Sequence, residues 1–150
     1  MTYKEIKRDL FTMPSDFYYV HCISSDFALG AGIAKTFRDR GVKTYLKYHY
    51  SDTVWHNTGF ALRAEMASKT NDSNIVVFNL VTKHHYYDKP TYSSIVESLY
   101  DMKRQLPNDC NLAMPCIGCG LDGLNWDQVR LIIMSVFNDT NANIIVCKYK

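Results

Sequence analysis

Two glycine-bearing stretches hold the residues of this chain best suited to chemistry: LGAGIAKTF at 29–37 and MPCIGCGLDGLNW at 114–126. Glycine at this density marks backbone that takes positive φ or lies close to another group. Each stretch leads into a predicted helix, whose N-terminal N–H groups and partial positive charge suit an anion such as a diphosphate. Gly30 and Gly32 have no side chain to hold a phosphate off the backbone, and Gly118, Gly120 and Gly123 offer the same from the other side. Gly-x-Gly alone is common in tight turns. The first loop has Lys35 where the dinucleotide fingerprint has its third glycine, and no Gly-Lys-Ser/Thr of an NTPase phosphate loop occurs. Two such loops, each feeding a helix, point to a nucleotide site.

Other reactive side chains carry less. The five cysteines, Cys22, Cys110, Cys116, Cys119 and Cys147, are odd in number and scattered, which is no disulfide framework. Cys116 and Cys119 have C-x-x-C spacing, but no second ligand pair accompanies them, and Gly118 and Gly120 oppose the helix that a redox motif needs. They read as plain thiols. His49 and His56 have no carboxylate or cysteine partner at ligand spacing, so no metal is expected. His21 sits inside a predicted strand and reads as structural.

Buried strands are predicted at 17–24 (FYYVHCIS) and 74–82 (NIVVFNLVT), which are rich in β-branched and aromatic residues. Shorter ones fall at 111–117 and 143–149, with weaker candidates at 3–7 and 58–66. Tyr92, Ile95, Val96, Leu99 and Leu106 share a face at helical spacing, which predicts a helix over 91–105 with Thr91 as N-cap and Pro90 before it. Val129, Ile132, Ile133, Val136 and Phe137 predict another, with Asn125 and Gln128 as a capping-box-like start. A third begins near Gly32, runs through Phe37 and stops at Gly41. Strands alternating with helices give an α/β sheet covered on both faces, with ligands expected at the strand-to-loop junctions.

The totals set outer bounds. A chain of 150 residues is most simply one domain, and its 47% hydrophobic and 21% charged residues argue against disorder. A net charge of +2 is too small for a nucleic-acid coat or a membrane-surface peptide. No membrane-spanning apolar run exists and the first ten residues are charged, so no signal peptide is expected; the chain reads as an intracellular, cytoplasmic protein.

At this point the chain resembles a known family, the macrodomains, and within it the class that hydrolyses terminal ADP-ribose from acidic side chains. The resemblance rests on RDLF near the start, HCISSDFALGAGIAKTF, LVTK, KPTY opening a helix, and MPCIGCGLDGLNW, in the family's order and with compatible spacing. It covers nearly the whole chain. CISSD replaces the Asn-Ala-Ala-Asn element of many macrodomains, a departure typical of this class. The fold implied is a three-layer α/β/α macrodomain with a central mixed sheet.

The resemblance also implies site residues. Lys83, ending NLVTK, matches a lysine that attacks the anomeric carbon of the distal ribose, and Asp122 matches the aspartate that resolves the adduct. A lysine is nucleophilic only as the neutral amine, which partial desolvation at a strand end favours and an opposing carboxylate disfavours. A carboxylate there can relay protons. Asp9 and Leu10 match the adenine position, while Ser24 and Ser25 match a turn whose hydroxyls reach the distal ribose or the phosphates. Gly30, Ala31, Gly32, Ile33 and Ala34 would line one side of a diphosphate channel. Ile117, Gly118, Cys119, Gly120 and Leu121 would line the other, with Thr82 beside the lysine. HHYYDKP at 84–90 is either a stacking surface for the substrate's protein or nucleic-acid part or a polar loop with exposed aromatics; 46–57 is a second candidate rim.

The implied activity is an ADP-ribosyl glycohydrolase that frees mono-ADP-ribose from glutamate or aspartate esters, or cleaves O-acetyl-ADP-ribose. Three alternatives stay open: hydrolysis of DNA-linked ADP-ribose, phosphatase action on ADP-ribose 1″-phosphate, and a non-catalytic reader. The expected partners are ADP-ribose and ADP-ribosylated protein, with ADP-ribosylated nucleic acid as the alternative. No cofactor, metal or membrane contact is expected, and the chain is expected to act as a monomer.

Overall fold

The computed structural model describes residues 1–50 and 57–148. Runs of β-branched and aromatic residues form β1 (Thr2–Lys7), β2 (Tyr18–Ser24), β3 (Phe60–Ala67), β4 (Asn74–Lys83), β5 (Asn111–Met114) and β6 (Asn143–Lys148). The helices are α1 (Ile33–Asp39), α2 (Val42–Tyr50), α3 (Tyr92–Arg104) and α4 (Trp126–Phe137). The strands make one mixed sheet in the order β1-β6-β5-β2-β4-β3. Neighbours are parallel except β3, which pairs antiparallel with β4.

Alternate residues of the central strands serve two separate cores, which is why these strands read as continuous apolar runs. Val77 and Val81 of β4 pack with Phe37 of α1 and with Val42 and Leu46 of α2. Phe78 and Leu80 pack on the other face with Ile95 and Leu99 of α3 and Ile133 of α4. The result is the expected three-layer α/β/α arrangement. The five parallel strands end at one edge of the sheet, and the loops that follow them gather there.

His21 and Asn79 face each other across β2 and β4 on the α1 side, with 2.6 Å between the ring Nε2 and the amide oxygen. The ring is fully buried and stacks on Phe37 at 4.0 Å between centroids. Burial pushes its pKa down to about 4, with the Asn79 bond pulling weakly the other way, so it is neutral. The structural reading of this histidine holds.

The helix predictions need three corrections. Gly41 does end α1, but α2 starts at the next residue and runs on through 46–50, which was read as part of a rim. Val42 and Leu46, four residues apart, are its fully buried contacts, too sparse a stripe to show periodicity against its polar face. Residues 51–56, the rest of that rim including His56, lie outside the described residues. The buried face of α3 is built from Ser94, Ile95, Ser98, Leu99 and Met102, with Val96 and Leu106 only half-buried. The serine hydroxyls can be buried because each bonds a helix carbonyl, Ser94 that of Thr91 and Ser98 that of Ile95.

The third correction concerns α4. Asn125 Oδ1 accepts from the N–H groups of Asp127 and Gln128, as predicted. Its own N–H, which a capping box would give to Gln128, donates instead to the Tyr92 hydroxyl of α3 at 3.0 Å. The reciprocal box exists at α3, where Thr91 and Ser94 bond each other's N–H groups.

Candidate active site

The central side chains are placed by a fault in strand pairing. β2 and β4 run in register from Tyr19 opposite Val77 to Ile23 opposite Val81. There the register slips, and Ser24 pairs with Lys83 rather than with Thr82. Thr82 is the bulged residue, buried with a hydroxyl that has no hydrogen-bond partner among the described residues. Such bulges re-aim the side chain that follows. Lys83 thereby lies beside Ser24 at the sheet's C-terminal edge, held by the bond from Ser25 N–H to its carbonyl at 2.9 Å.

Asp122 reaches the same point from the loop after β5. Gly118 in that loop has φ +72°, and a Cβ there would sit 3.0 Å from Leu124 Cδ1 and 3.2 Å from Ile95 Cδ1. Only glycine lets the chain turn this close under α3. The turn closes with Leu124 N–H on Gly118 O and Gly123 N–H on Gly120 O. Asp122 Oδ1 then meets Lys83 Nζ at 2.8 Å, 39 residues apart in sequence. Both side chains are largely covered, 15% and 19% exposed.

The pair sits in a cavity of about 660 Å³. Of the residues predicted to bind substrate, Ser24, Gly30, Ala31, Gly32, Ile33, Ala34, Ile117, Gly118, Cys119 and Leu121 line it. A second cavity of about 1180 Å³ contains Asp9 and Leu10. The two share Gly32, Ile33, Pro115 and Cys116, so they form one trough along the sheet edge, with Asp9 in one arm and the ion pair in the other.

Several predicted residues are placed differently. Ser25 does not line the trough: its hydroxyl donates to the His84 carbonyl at 2.8 Å. Thr82 is withdrawn by the bulge, and Gly120 lies outside the lining. The Cys119 N–H is already bonded to Cys116 O. Leu10 is 2% exposed and belongs mainly to the core, so half-buried Phe11 shares the apolar wall beside Asp9. Asp9 itself caps the turn at Leu10–Thr12 through the Phe11 N–H. The start of α4, expected to face an anion, is satisfied by Asn125 and is absent from the lining of either cavity.

Two supporting carboxylates were not found from the sequence. Asp26 accepts from the Ser24 hydroxyl at 2.5 Å, the Ala28 N–H at 3.1 Å and the Tyr86 N–H at 2.9 Å. Burial works against its charge, but these donors outweigh it and hold the acid below the usual carboxylate range. Asp26 thus ties the loop after β2 to the loop after β4, around residues with strained backbone, Phe27 at φ 54° and Leu29 at φ 44°. Their buried side chains anchor that strain. Glu5 gathers Tyr3, Trp126, Arg130 and Lys148. Burial again opposes its charge, yet the four donors bring its pKa to about 2. Through Trp126, Glu5 fixes the start of α4, and with it the loop carrying Asp122, to β1.

The thiols give no sign of chemistry. All five are free, and burial above all pushes Cys22 to about 12 and Cys119 to about 11, keeping them protonated. Among the described residues no group of three metal-ligating side chains converges.

Comparison with known proteins follows the same line. The chain is 38% identical over 145 residues to the ADP-ribose glycohydrolase OARD1 of Bos taurus, covering 94% of this chain and 88% of that one. The macrodomain of Mycobacterium tuberculosis DarG superposes with a TM-score of 0.77 at 23% identity, over 96% of this chain and 97% of that one. Thermosipho africanus DarTG, solved in complex with ADP-ribose, gives a TM-score of 0.69 at 16% identity, over 99% of this chain and 42% of that one. No family model matches the chain.

Proposed function

Because this chain belongs to the macrodomain family of ADP-ribose glycohydrolases, we propose that it hydrolyses ADP-ribose linked through an ester to a protein carboxylate, using Lys83 and Asp122. The chain is a hydrolase of ADP-ribose conjugates; the linkage and the two roles are the new part. The observation that carries them is the 2.8 Å ion pair at the covered end of the trough. A lysine and a carboxylate in contact can pass one proton between them, which makes the amine available and then recovers it.

In this reading adenosine lies in the arm with Asp9 and Phe11, and the diphosphate crosses the shared segment at Gly32 and Ile33. The distal ribose then meets Lys83. As substrate displaces the ion pair, Asp122 takes a proton from the ammonium. The neutral amine forms a bond to the anomeric carbon, and the acceptor carboxylate leaves with the electron pair of the C–O bond. A carboxylate is a stable leaving group and needs little acid assistance. Asp122 passes that proton to the departing carboxylate. Water then displaces the lysine nitrogen from the anomeric carbon, breaking the C–N bond and giving its own proton to the Asp122 carboxylate, and release of ADP-ribose returns the amine. The Ser24 hydroxyl, already donating to Asp26, keeps its lone pairs for a ribose hydroxyl. An O-acetyl-ADP-ribose whose acetyl sits on the anomeric oxygen has the same ester at the same carbon and is cleaved by the same steps.

The test is release of ADP-ribose from a glutamate-linked mono-ADP-ribosylated protein. Lys83→Ala should lower kcat about a thousandfold or more while ADP-ribose affinity stays within about tenfold. Asp122→Ala should lower kcat roughly a hundredfold or more. Full turnover by Lys83→Ala would sink the covalent mechanism. An ADP-ribose-binding wild type that releases nothing would sink the ester reading.

A further inference from the structure

Six large apolar side chains are conspicuously exposed among the described residues, and three of them, Tyr86, Tyr87 and Leu121, stand on the two loops that carry Lys83 and Asp122 to the trough. Tyr86 and Leu121 line the cavity around the ion pair, and Tyr87 stands beyond it. Single exposed aromatics need no explanation, but a cluster beside a catalytic cleft is the composition of a recognition surface.

The aromatic loop is held in shape. Asp88 accepts from the His85 N–H and contacts the His85 ring Nδ1, both at 3.0 Å, and returns its own N–H to the His85 carbonyl. The Tyr86 N–H is fixed on Asp26. The His85 and Tyr87 rings lie parallel within 8° at 5.0 Å, and Tyr86 meets Tyr87 edge-on at 5.3 Å. Lys89 spans from this loop to the Leu121 carbonyl. Both tyrosines remain 66% exposed, so rigid ring surface is offered to solvent at no ordering cost on binding.

We propose that Tyr86, Tyr87 and Leu121 form an acceptor-side subsite, which grips a polypeptide through an apolar or aromatic side chain flanking the ADP-ribosylated carboxylate. This rests on the assignment of Lys83 and Asp122 as the reacting pair, since that assignment places the acceptor at this end of the trough. Charge favours a polypeptide over a nucleic acid. A phosphodiester strand is tracked by a line of cations. Here Lys83 is paired with Asp122, Lys43 is turned onto the Ala28 carbonyl, and Lys89 is the one lysine on the framing loops outside an ion pair. One cation beside an apolar patch suits a peptide segment that carries its own carboxylates.

The experiment compares a glutamate-linked mono-ADP-ribosyl peptide, bearing a phenylalanine next to the modified residue, with O-acetyl-ADP-ribose, whose acceptor is only acetyl. Tyr87→Ala should raise KM for the peptide roughly tenfold and leave O-acetyl-ADP-ribose within about twofold, with Tyr87→Phe close to wild type on both. An equal loss on both substrates, no loss on either, or a loss on an ADP-ribosylated oligonucleotide but not the peptide would overturn the subsite. If wild type cleaves neither substrate, the catalytic reading has failed by itself. The subsite is then decided by whether Tyr87→Ala weakens binding of the ADP-ribosyl peptide relative to free ADP-ribose.

Discussion

Gly30 lacks both of the usual reasons for a glycine. Its φ lies outside the left-handed region, and an added Cβ would meet only the Ala28 carbonyl at 4.0 Å. Yet it lines the cavity, directly before the segment that the two arms of the trough share. What its missing side chain leaves open is room inside the cavity. Gly30→Ala should therefore fold with a Tm within about 3 °C of wild type, since Gly to Ala at a compatible site is neutral to mildly stabilising. ADP-ribose affinity, read by calorimetric titration, should fall about tenfold or more; unchanged affinity would place the diphosphate elsewhere. At this scale the sequence was informative for residues marked out by their type: Lys83 and Asp122 do meet, and Gly30, Gly32 and Gly118 do line the cavity. It was silent on Asp26, whose tie between the two loops depends on a partner 60 residues away.

Among the elements, α4 matters most to the site, because the loop bearing Asp122 ends on it. Its N-terminus is satisfied in two directions, by Asn125 toward its own first turn and by Tyr92 from the neighbouring helix. Asn125→Ala should cost about 1 kcal/mol in urea denaturation. Because the cap also sets where the loop ends, kcat should drop at temperatures where the variant is still fully folded. A stability loss with kcat untouched would separate the cap from the site. The central strands β2 and β4 were legible because burial on both faces leaves an unbroken apolar run. α2 was not, since a helix resting on Val42 and Leu46 among lysines and tyrosines shows no stripe to read. The bulge at Thr82 was equally hidden: it belongs to a pairing with β2, not to any pattern along β4.

Over the whole molecule, buried His21 and half-buried Glu5 contribute most visibly to the response to acid. His21 has a folded pKa of about 4 against an ordinary 6.5. As pH falls below about 6.5 the unfolded chain takes up a proton that the folded chain refuses until about 4, so stability declines through that window. Glu5, at about 2 against an ordinary 4.5, adds a second decline as pH falls from about 4.5 toward 2. Urea midpoints should therefore drop between pH 7 and pH 5. His21→Gln, whatever its cost at pH 7, should flatten the slope there while leaving the fall below pH 4.5. An unaltered slope in the variant would assign the first decline to other groups. Layering and sheet class were readable from the alternation of strands and helices. The strand order was not, because nothing in a strand names its neighbour, and the order is what brings Lys83 and Asp122 to the same edge.

The irregular pairing of Ser24 with Lys83 has one more consequence. Along a strand, side chains alternate between faces, so position is a question of odd and even. By pairing Ser24 with Lys83 across the irregularity, the fold spends one count on Thr82 and hands the lysine to the opposite parity from the one its neighbours dictate. The lysine is thus placed by arithmetic as much as by identity. A regular pairing of Ser24 with Thr82 would keep every side chain in the sequence and still turn the lysine to the opposite face, away from Asp122, a change that a comparison of residue types alone would pass over.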